Sequence, residues 1–118
     1  MRTTMAAMAS LLCFMFWATD AQCSFIDGDK LYESCTGKSE ADVSFCSGYV
    51  AGAFDNEDRY FVRTDCVPED AKLSDLVAVV TAWLGDHPEK RHLQASVTVA
   101  DALKAKFPPP CIPRPHDE

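Results

Sequence analysis

The stretch LSDLVAVVTAWLG, residues 73–85, decides how this chain folds. Its apolar residues recur at steps of three and four, which places their side chains along one face of an α-helix. Pro68, Glu69 and Asp70 are favourable in the first turn of a helix, so we expect this helix to begin near Pro68. Gly85 is expected to end it. The apolar stripe consists of Leu73, Leu76, Val77, Val80, Trp83 and Leu84.

Two weaker helical patterns precede this stretch. The first covers residues 27–35 and is followed by Gly37, a residue that often closes a helix in a left-handed conformation. The second covers residues 39–59. Ser39 and Asp42 have the spacing of a capping box at its start. Apolar residues then follow at helical steps, so both segments are predicted to be helices.

A fourth helix is predicted after residue 85. It begins near Pro88 or one turn later and runs to about Phe107. Residues 97–99 are β-branched and alternate, so a strand is an alternative there. The strong helix formers at 100–106 favour the helix. The chain is therefore predicted to be all-α, a small disulfide-stapled bundle of about four helices.

Gly48 and Gly52 lie four residues apart on the second predicted helix. Residues at this spacing share one helix face, and without side chains they let another helix approach closely. In a soluble protein this pattern favours tight packing inside the fold over contact with a second copy. Both interpretations stay open from the sequence.

The cysteines predict two disulfides. Cys66 precedes the third helix and Cys111 follows the fourth, so the two meet if these helices form an antiparallel hairpin. A bond between them closes a loop of about 45 residues, worth roughly 3–4 kcal/mol in the chain-entropy model. Cys35 and Cys46 flank the turn between the first two helices and form the local pair. Cys23 is left without a predicted role.

The N-terminus has the pattern of a secretory signal peptide at residues 1–21. An apolar run at 5–18 follows one basic residue, and small residues precede a cleavage site after Ala21. The run is too short to span a bilayer, which argues against a membrane anchor. A lipid-anchored form through Cys23 is the other alternative. Residues 22–118 then form one exported domain, in a compartment that permits disulfides.

The formal net charge is −7, which argues against binding nucleic acid or an anionic membrane surface. It suits a basic protein partner, or serves solubility alone. His87 and His92 lie five residues apart, which does not place them on one helix face for a metal. No catalytic pattern stands out, so we predict no enzyme, no metal and no cofactor.

The segment at residues 85–91 is the best candidate for binding. It combines a helix stop, a proline and charges of both signs at the tip of the predicted hairpin. Exposed loops on a rigid scaffold often carry binding residues. The alternative is that Asp86 or His87 caps the fourth helix while Pro88 starts it, and both roles are compatible.

A set of motifs in a fixed order covers nearly all of residues 22–118 and resembles the Rap/Tai family, periplasmic immunity proteins of type VI secretion systems. The motifs are Gly28-x-x-Leu31-x-x-x-Cys35, Phe45-Cys46-x-Gly48-Tyr49-Val50-x-Gly52, Cys66-Val67-Pro68, Trp83-Leu84-x-x-His87-Pro88-Glu89, and Ala102-Leu103 with Phe107-Pro108 near the final cysteine.

The resemblance implies a small helical domain, commonly a homodimer, that neutralises a peptidoglycan amidase effector. It implies that a loop of the immunity protein enters the amidase cleft. The loop between the third and fourth helices is the best match here. The last cysteine departs from the family pattern because three prolines precede it. A periplasmic acid-stress chaperone, or another non-catalytic binding module, is the alternative. The predicted partner contacts are Asp86, His87, Glu89, Lys90 and Arg91.

Overall fold

Four α-helices make up most of the chain that the computed structural model describes, residues 24–57 and 66–108. In these two ranges no strand is longer than a single isolated bridge. The prediction of a small all-α bundle with a disulfide staple is confirmed. The elements are α1 (Gly28–Thr36), α2 (Glu40–Glu57), α3 (Leu73–Asp86), a 3₁₀ turn (Pro88–Lys90) and α4 (Ala95–Lys106).

Several predictions fall outside the described residues. These are the signal peptide at 1–21, Cys23, the end of the predicted second helix beyond residue 57, and residues 109–118, which include Cys111. Within the described ranges, no helix is long and apolar enough to cross a membrane.

The start of α3 differs from the prediction. Residues 68–70 form a turn in which the Ala71 N–H donates to the Pro68 carbonyl at 3.0 Å. The helix begins at Leu73, and the Asp75 carboxylate accepts the N–H of Lys72 at 2.9 Å. This bond satisfies one of the backbone donors that a helix N-terminus leaves unpaired, so the helix starts there. Gly85 does not end the helix, which includes it and continues to Asp86.

The start of α4 was also predicted too early. Pro88 begins the 3₁₀ turn instead, and α4 begins only at Ala95. The Ala95 N–H donates to the Ile26 carbonyl at 3.0 Å. This contact with a distant segment fixes the start of the helix, and local sequence cannot reveal it. The strand alternative for residues 97–99 is wrong, since they lie inside α4.

A short turn joins the end of α1 to the start of α2. Asp27 caps α1 by accepting the Lys30 N–H at 2.9 Å. Gly37 has a φ of −65°, so the expected left-handed conformation is wrong. A Cβ at Gly37 would overlap the Asp42 carboxyl group, which makes glycine necessary there for space. Ser39 caps α2 through its hydroxyl, which accepts the Asp42 N–H at 3.1 Å.

The core draws on all four helices. The predicted stripe on α3 is buried at Leu76, Val80 and Leu84, whereas Leu73 at its start is 41% exposed. Burial of this apolar surface is the main favourable term for a domain of this size. The largest fully buried aliphatic side chains of the other helices are Leu31, Val50, Val99 and Leu103.

The predicted bond between Cys35 and Cys46 is present, with an S–S distance of 2.03 Å. It joins the last turn of α1 to α2, and the Cys46 side chain is buried. Cys66 is also disulfide-bonded. Its predicted partner, Cys111, lies outside the described residues.

Candidate partner-binding surface

The 86–91 loop, which connects α3 to the segment before α4, consists of successive hydrogen-bonded turns. The Lys90 N–H donates to the His87 carbonyl at 3.0 Å, and the Arg91 N–H donates to the Pro88 carbonyl at 3.3 Å. The Leu93 N–H then donates to the Lys90 carbonyl at 3.0 Å. Internal bonding of this kind limits the conformations that the loop can adopt, so it suits a preformed binding element.

The structure divides the five predicted contact residues into two groups. Asp86, Glu89 and Lys90 have exposed side chains, whereas His87 and Arg91 are half-buried and contact the fold. All five lie within six consecutive residues, at the end of α3 and in the turns that follow it. Their contacts with a partner stay a prediction.

His87 closes the C-terminal end of α3. Its backbone N–H and its ring Nδ1 both bond the Trp83 carbonyl oxygen, at 3.0 and 2.8 Å. Since a carbonyl oxygen only accepts, Nδ1 carries the hydrogen. The imidazole ring stacks on the Trp83 indole with a centroid distance of 4.3 Å and an angle of 17°. His87 therefore caps α3, and not α4 as the alternative proposed.

Arg91 fastens the loop to two helices. Its Nε donates to the Leu84 carbonyl of α3 at 2.7 Å. Its guanidinium carbon lies 3.8 Å from the centre of the Tyr32 ring on α1. A cation over an aromatic face is attracted by the ring quadrupole, and the planar guanidinium stacks well on it.

The backbone beyond Arg91 is bonded to the start of α1. Gly28 N–H donates to the Leu93 carbonyl and Asp29 N–H donates to the Arg91 carbonyl, each at 2.9 Å. An isolated antiparallel bridge joins Asp27 to Gln94 beside them. These bonds use N–H groups that the first turn of a helix leaves free. The sequence carried no signal for this pairing, because it joins segments more than sixty residues apart.

A groove between α3 and α4 adjoins the loop. Its volume is about 430 Å³, within the range of protein pockets that take a ligand group. Small side chains line most of it, Trp83 adds an aromatic surface, and Asp86 and Lys106 are the charged members. Alanines recur at helical spacing on both helices, and this pattern could have indicated the groove from the sequence, but the sequence-based prediction did not include it. The apolar lining residues are Ala78, Val79, Ala82, Trp83, Ala102 and Ala105.

The outer face of α2, defined by Phe45, Gly48 and Gly52, points away from the bundle. Among the described residues, a Cβ at either glycine would meet no atom within 4 Å beyond its own helix backbone, so the interpretation as tight internal packing is wrong. Phe45 is 40% exposed and stacks on Tyr49 at a centroid distance of 6.1 Å. Large contiguous apolar patches on a surface often mark contacts, whereas single exposed apolar residues are common.

Tyr49 connects α2 to the first turn of α4. Burial raises the pKa of its hydroxyl, and hydrogen bonding to Ser96 offsets part of that rise. The neutral phenol is therefore the form that the folded chain favours.

Titratable side chains are scattered over the described part of the chain, residues 24–57 and 66–108. Among these residues, no group of three or more His, Cys, Asp or Glu side chains is placed to hold a metal ion. His87 is committed to Trp83, and His92 is exposed. The arrangement as a whole suits a protein contact, with a preformed loop beside an apolar groove.

Comparison with known proteins gives one family. The model of the Rap1a immunity proteins matches residues 27–111 of this chain, a range that includes all four helices and the loop. No curated protein and no solved structure shows a significant match.

Proposed function

The chain belongs to the Rap1a immunity protein family, and from this premise we propose that it protects its producing cell from a peptidoglycan amidase effector of a type VI secretion system. Family membership makes a cognate effector protein the expected partner. The proposed mechanism is steric: the protein binds the amidase and occludes its active site, without chemistry of its own.

The proposal places the protein in the periplasm. The N-terminal pattern at residues 1–21 supports export, with Cys23 near the start of the exported chain. Cys35, Cys46 and Cys66 are all disulfide-bonded. Structural disulfides persist in oxidising compartments and are rare in the cytosol, so three bonded cysteines support this location.

The 86–91 loop is the proposed inhibitory element, and its construction is the observation that carries the proposal. Asp86, Glu89 and Lys90 are exposed, while His87 and Arg91 hold the loop against α3 and α1. A loop that is already ordered loses little conformational entropy when it enters a cleft. Charged groups of both signs at its surface give orientation and specificity.

The groove between α3 and α4 extends the proposed contact surface. It shares Asp86 and Trp83 with the loop and its base. A protein held at the loop tip therefore lies next to an apolar recess that can take one of its side chains. Apolar recesses of this kind commonly hold the residues that dominate binding energy.

A homodimer is part of the proposal. The exposed Phe45 ring and the open backbone at Gly48 and Gly52 support a second copy on the outer face of α2. Light scattering on the purified protein tests this. Phe45→Glu should convert a dimer into a monomer, and an unchanged mass would exclude this face as the interface.

The direct test is co-purification and inhibition with the effector encoded beside this gene. Residues 22–118 should bind that effector and block its hydrolysis of peptidoglycan. Glu89→Ala combined with Lys90→Ala should weaken binding at least tenfold, which corresponds to about 1.4 kcal/mol. Thermal unfolding should stay unchanged, because both side chains are exposed.

A matched control is available at the turn before α2. Lys38 and Glu40 are also exposed and carry the same pair of charges. Lys38→Ala with Glu40→Ala should leave affinity within twofold of the unmodified protein. If residues 22–118 bind no neighbouring hydrolase, the immunity proposal fails. If both double variants weaken binding equally, the loop is not the inhibitory element.

A further inference from the structure

The start of α1, with the residues just before it, is bonded to the segment at and after the far end of the 86–91 loop. Three backbone hydrogen bonds connect residues 26–29 to residues 91–95, from Gly28 to Leu93 and from Asp29 to Arg91 at 2.9 Å, and from Ala95 to the Ile26 carbonyl at 3.0 Å. The approach is close, since a Cβ at Gly28 would lie 2.8 Å from the Arg91 carbonyl oxygen. Displacement of residues 26–29 would therefore break all three bonds together.

Side chains make the same connection. The Arg91 guanidinium lies over the Tyr32 ring of α1, and its Nε bonds the Leu84 carbonyl of α3. Tyr32 also approaches Gly85, where an added Cβ would lie 3.4 Å from the phenol oxygen. Arg91 is thus held in place by α1 on one side and by α3 on the other.

α1 is a short helix that depends on its neighbours for stability. It has nine residues, and isolated helices of that length are marginal in water. It packs against the other three helices, and Leu31 is fully buried between them. Its covalent attachment is at the last turn, where Cys35 is bonded to the buried Cys46 of α2. From Cys35 to Gly28 the helix is about 10 Å long at 1.5 Å per residue.

We propose that the Cys35–Cys46 disulfide sets the position of the 86–91 loop through α1, so that effector binding depends on the redox state of this pair. Tyr32 and Gly28 are the positioning residues of this connection. The regulatory part rests on the function proposed above. The thiol form keeps its helical core, but the last turn of α1 loses its covalent link to α2, and the three backbone bonds between residues 26–29 and 91–95 weaken.

The redox step is an exchange with a partner disulfide. Two thiols of this chain lose two protons and two electrons and form one S–S bond, while the disulfide of an oxidant is reduced to two thiols. The chain therefore gains its binding conformation only after it reaches an oxidising compartment. Before export it is inert toward its effector, which leaves the two proteins separate in the cytoplasm.

Hydrogen exchange on residues 22–118 tests the connection without any effector. In Cys35→Ser/Cys46→Ser, the amides of Gly28, Asp29 and Ala95 should lose at least tenfold more protection than the amides of α3. Leu103→Ala is the matched control, because it removes core packing while leaving the disulfide and the Tyr32 ring in place. That variant should lower protection throughout the bundle, with no selective loss at the start of α1.

A second variant keeps the disulfide intact. Tyr32→Leu removes the ring under Arg91 and should raise exchange at Arg91 and Leu93 at least fivefold. With the effector, both the double serine variant and Tyr32→Leu should bind at least tenfold more weakly than the unmodified protein. If the amides of residues 28–29 and 91–95 are equally protected from exchange in all variants, the connection from the disulfide through α1 to the loop is overturned, whether or not an effector binds. If hydrogen exchange changes as expected but the affinity for the effector does not, the connection stands and only the redox dependence of binding is overturned.

Discussion

Replacing Gly28 with alanine should destabilise the fold, although the same change usually stabilises a helix. Gly28 is the first residue of α1, where its backbone packs against the segment after the loop. An added Cβ would lie 2.8 Å from the Arg91 carbonyl oxygen, 2.9 Å from the Arg91 Cα and 3.1 Å from the Thr98 side chain. Two of these three atoms belong to the backbone and cannot rotate away.

The magnitude follows from two opposing terms. Glycine to alanine inside a helix gains about 0.5–1 kcal/mol of intrinsic stability. Forcing a methyl group into packed atoms costs about 1–3 kcal/mol. Moving the Arg91 backbone also weakens the hydrogen bonds of Gly28 and Asp29, each worth about 0.5–1.5 kcal/mol. The net expectation is a loss of about 2 kcal/mol, or a fall in Tm of about 8–16 °C for a domain of this size.

Gly48→Ala is the matched control, because a Cβ there meets no atom within 4 Å. Gly48 lies inside α2, so only the higher helix propensity of alanine acts there. The free energy of unfolding should therefore rise by about 0.5–1 kcal/mol. Both variants are best made in the Phe45→Glu background, so that a second copy covering Gly48 does not affect the result.

Urea unfolding of residues 22–118 measures both effects. Trp83 is the single tryptophan in that range and reports on the contact between α3 and the loop. The two glycine variants should move the transition midpoint in opposite directions. A Gly28→Ala protein as stable as its parent would refute the close packing of α1 against residues 91–95.

Three further predictions concern other parts of the molecule. Burial raises the Tyr49 pKa above its ordinary value of 10. The stability that this shift contributes is complete below pH 10 and is lost as the pH rises through the folded pKa. The free energy of unfolding should therefore fall less above pH 10 in Tyr49→Phe than in the parent protein. Ala82→Trp fills the groove and should weaken effector binding at least tenfold with little change in Tm, whereas Ser74→Trp at an exposed site should leave binding unchanged. Arg91→Lys loses the Nε bond to Leu84 and the planar stack, so calorimetry should show a loss of about 1–2 kcal/mol; unchanged stability would contradict the clamping role of Arg91.

The helical content was predictable because periodicity is a local signal. The stripe through Leu76, Val80 and Leu84 is buried as expected, since apolar side chains on one helix face have nowhere else to pack. The local disulfide was predictable for a similar reason, because Cys35 and Cys46 flank one short turn. In each case the deciding sequence pattern lies within about a dozen residues along the chain.

The helix boundaries were not predictable to the same degree. Pro68 is acceptable at the start of a helix, but the Asp75 carboxylate captures the Lys72 N–H and moves the start to Leu73. Ala95 begins α4 because its N–H bonds the Ile26 carbonyl, almost seventy residues away. Contacts of that separation leave no pattern in a single sequence, so propensity alone placed both starts too early.

At the candidate site too, contacts between distant segments decide what the sequence cannot show, namely which charged side chains are available to a partner. In sequence, Glu89, Lys90 and Arg91 are three adjacent charges, and any of them can equally well face a partner. The structure separates them, since the Arg91 Nε donates to the Leu84 carbonyl and its guanidinium stacks on the Tyr32 ring. A loss of affinity at Glu89 or Lys90 would therefore report a direct contact. A loss at Arg91 would report a displaced loop, and only a parallel measurement of stability tells the two apart.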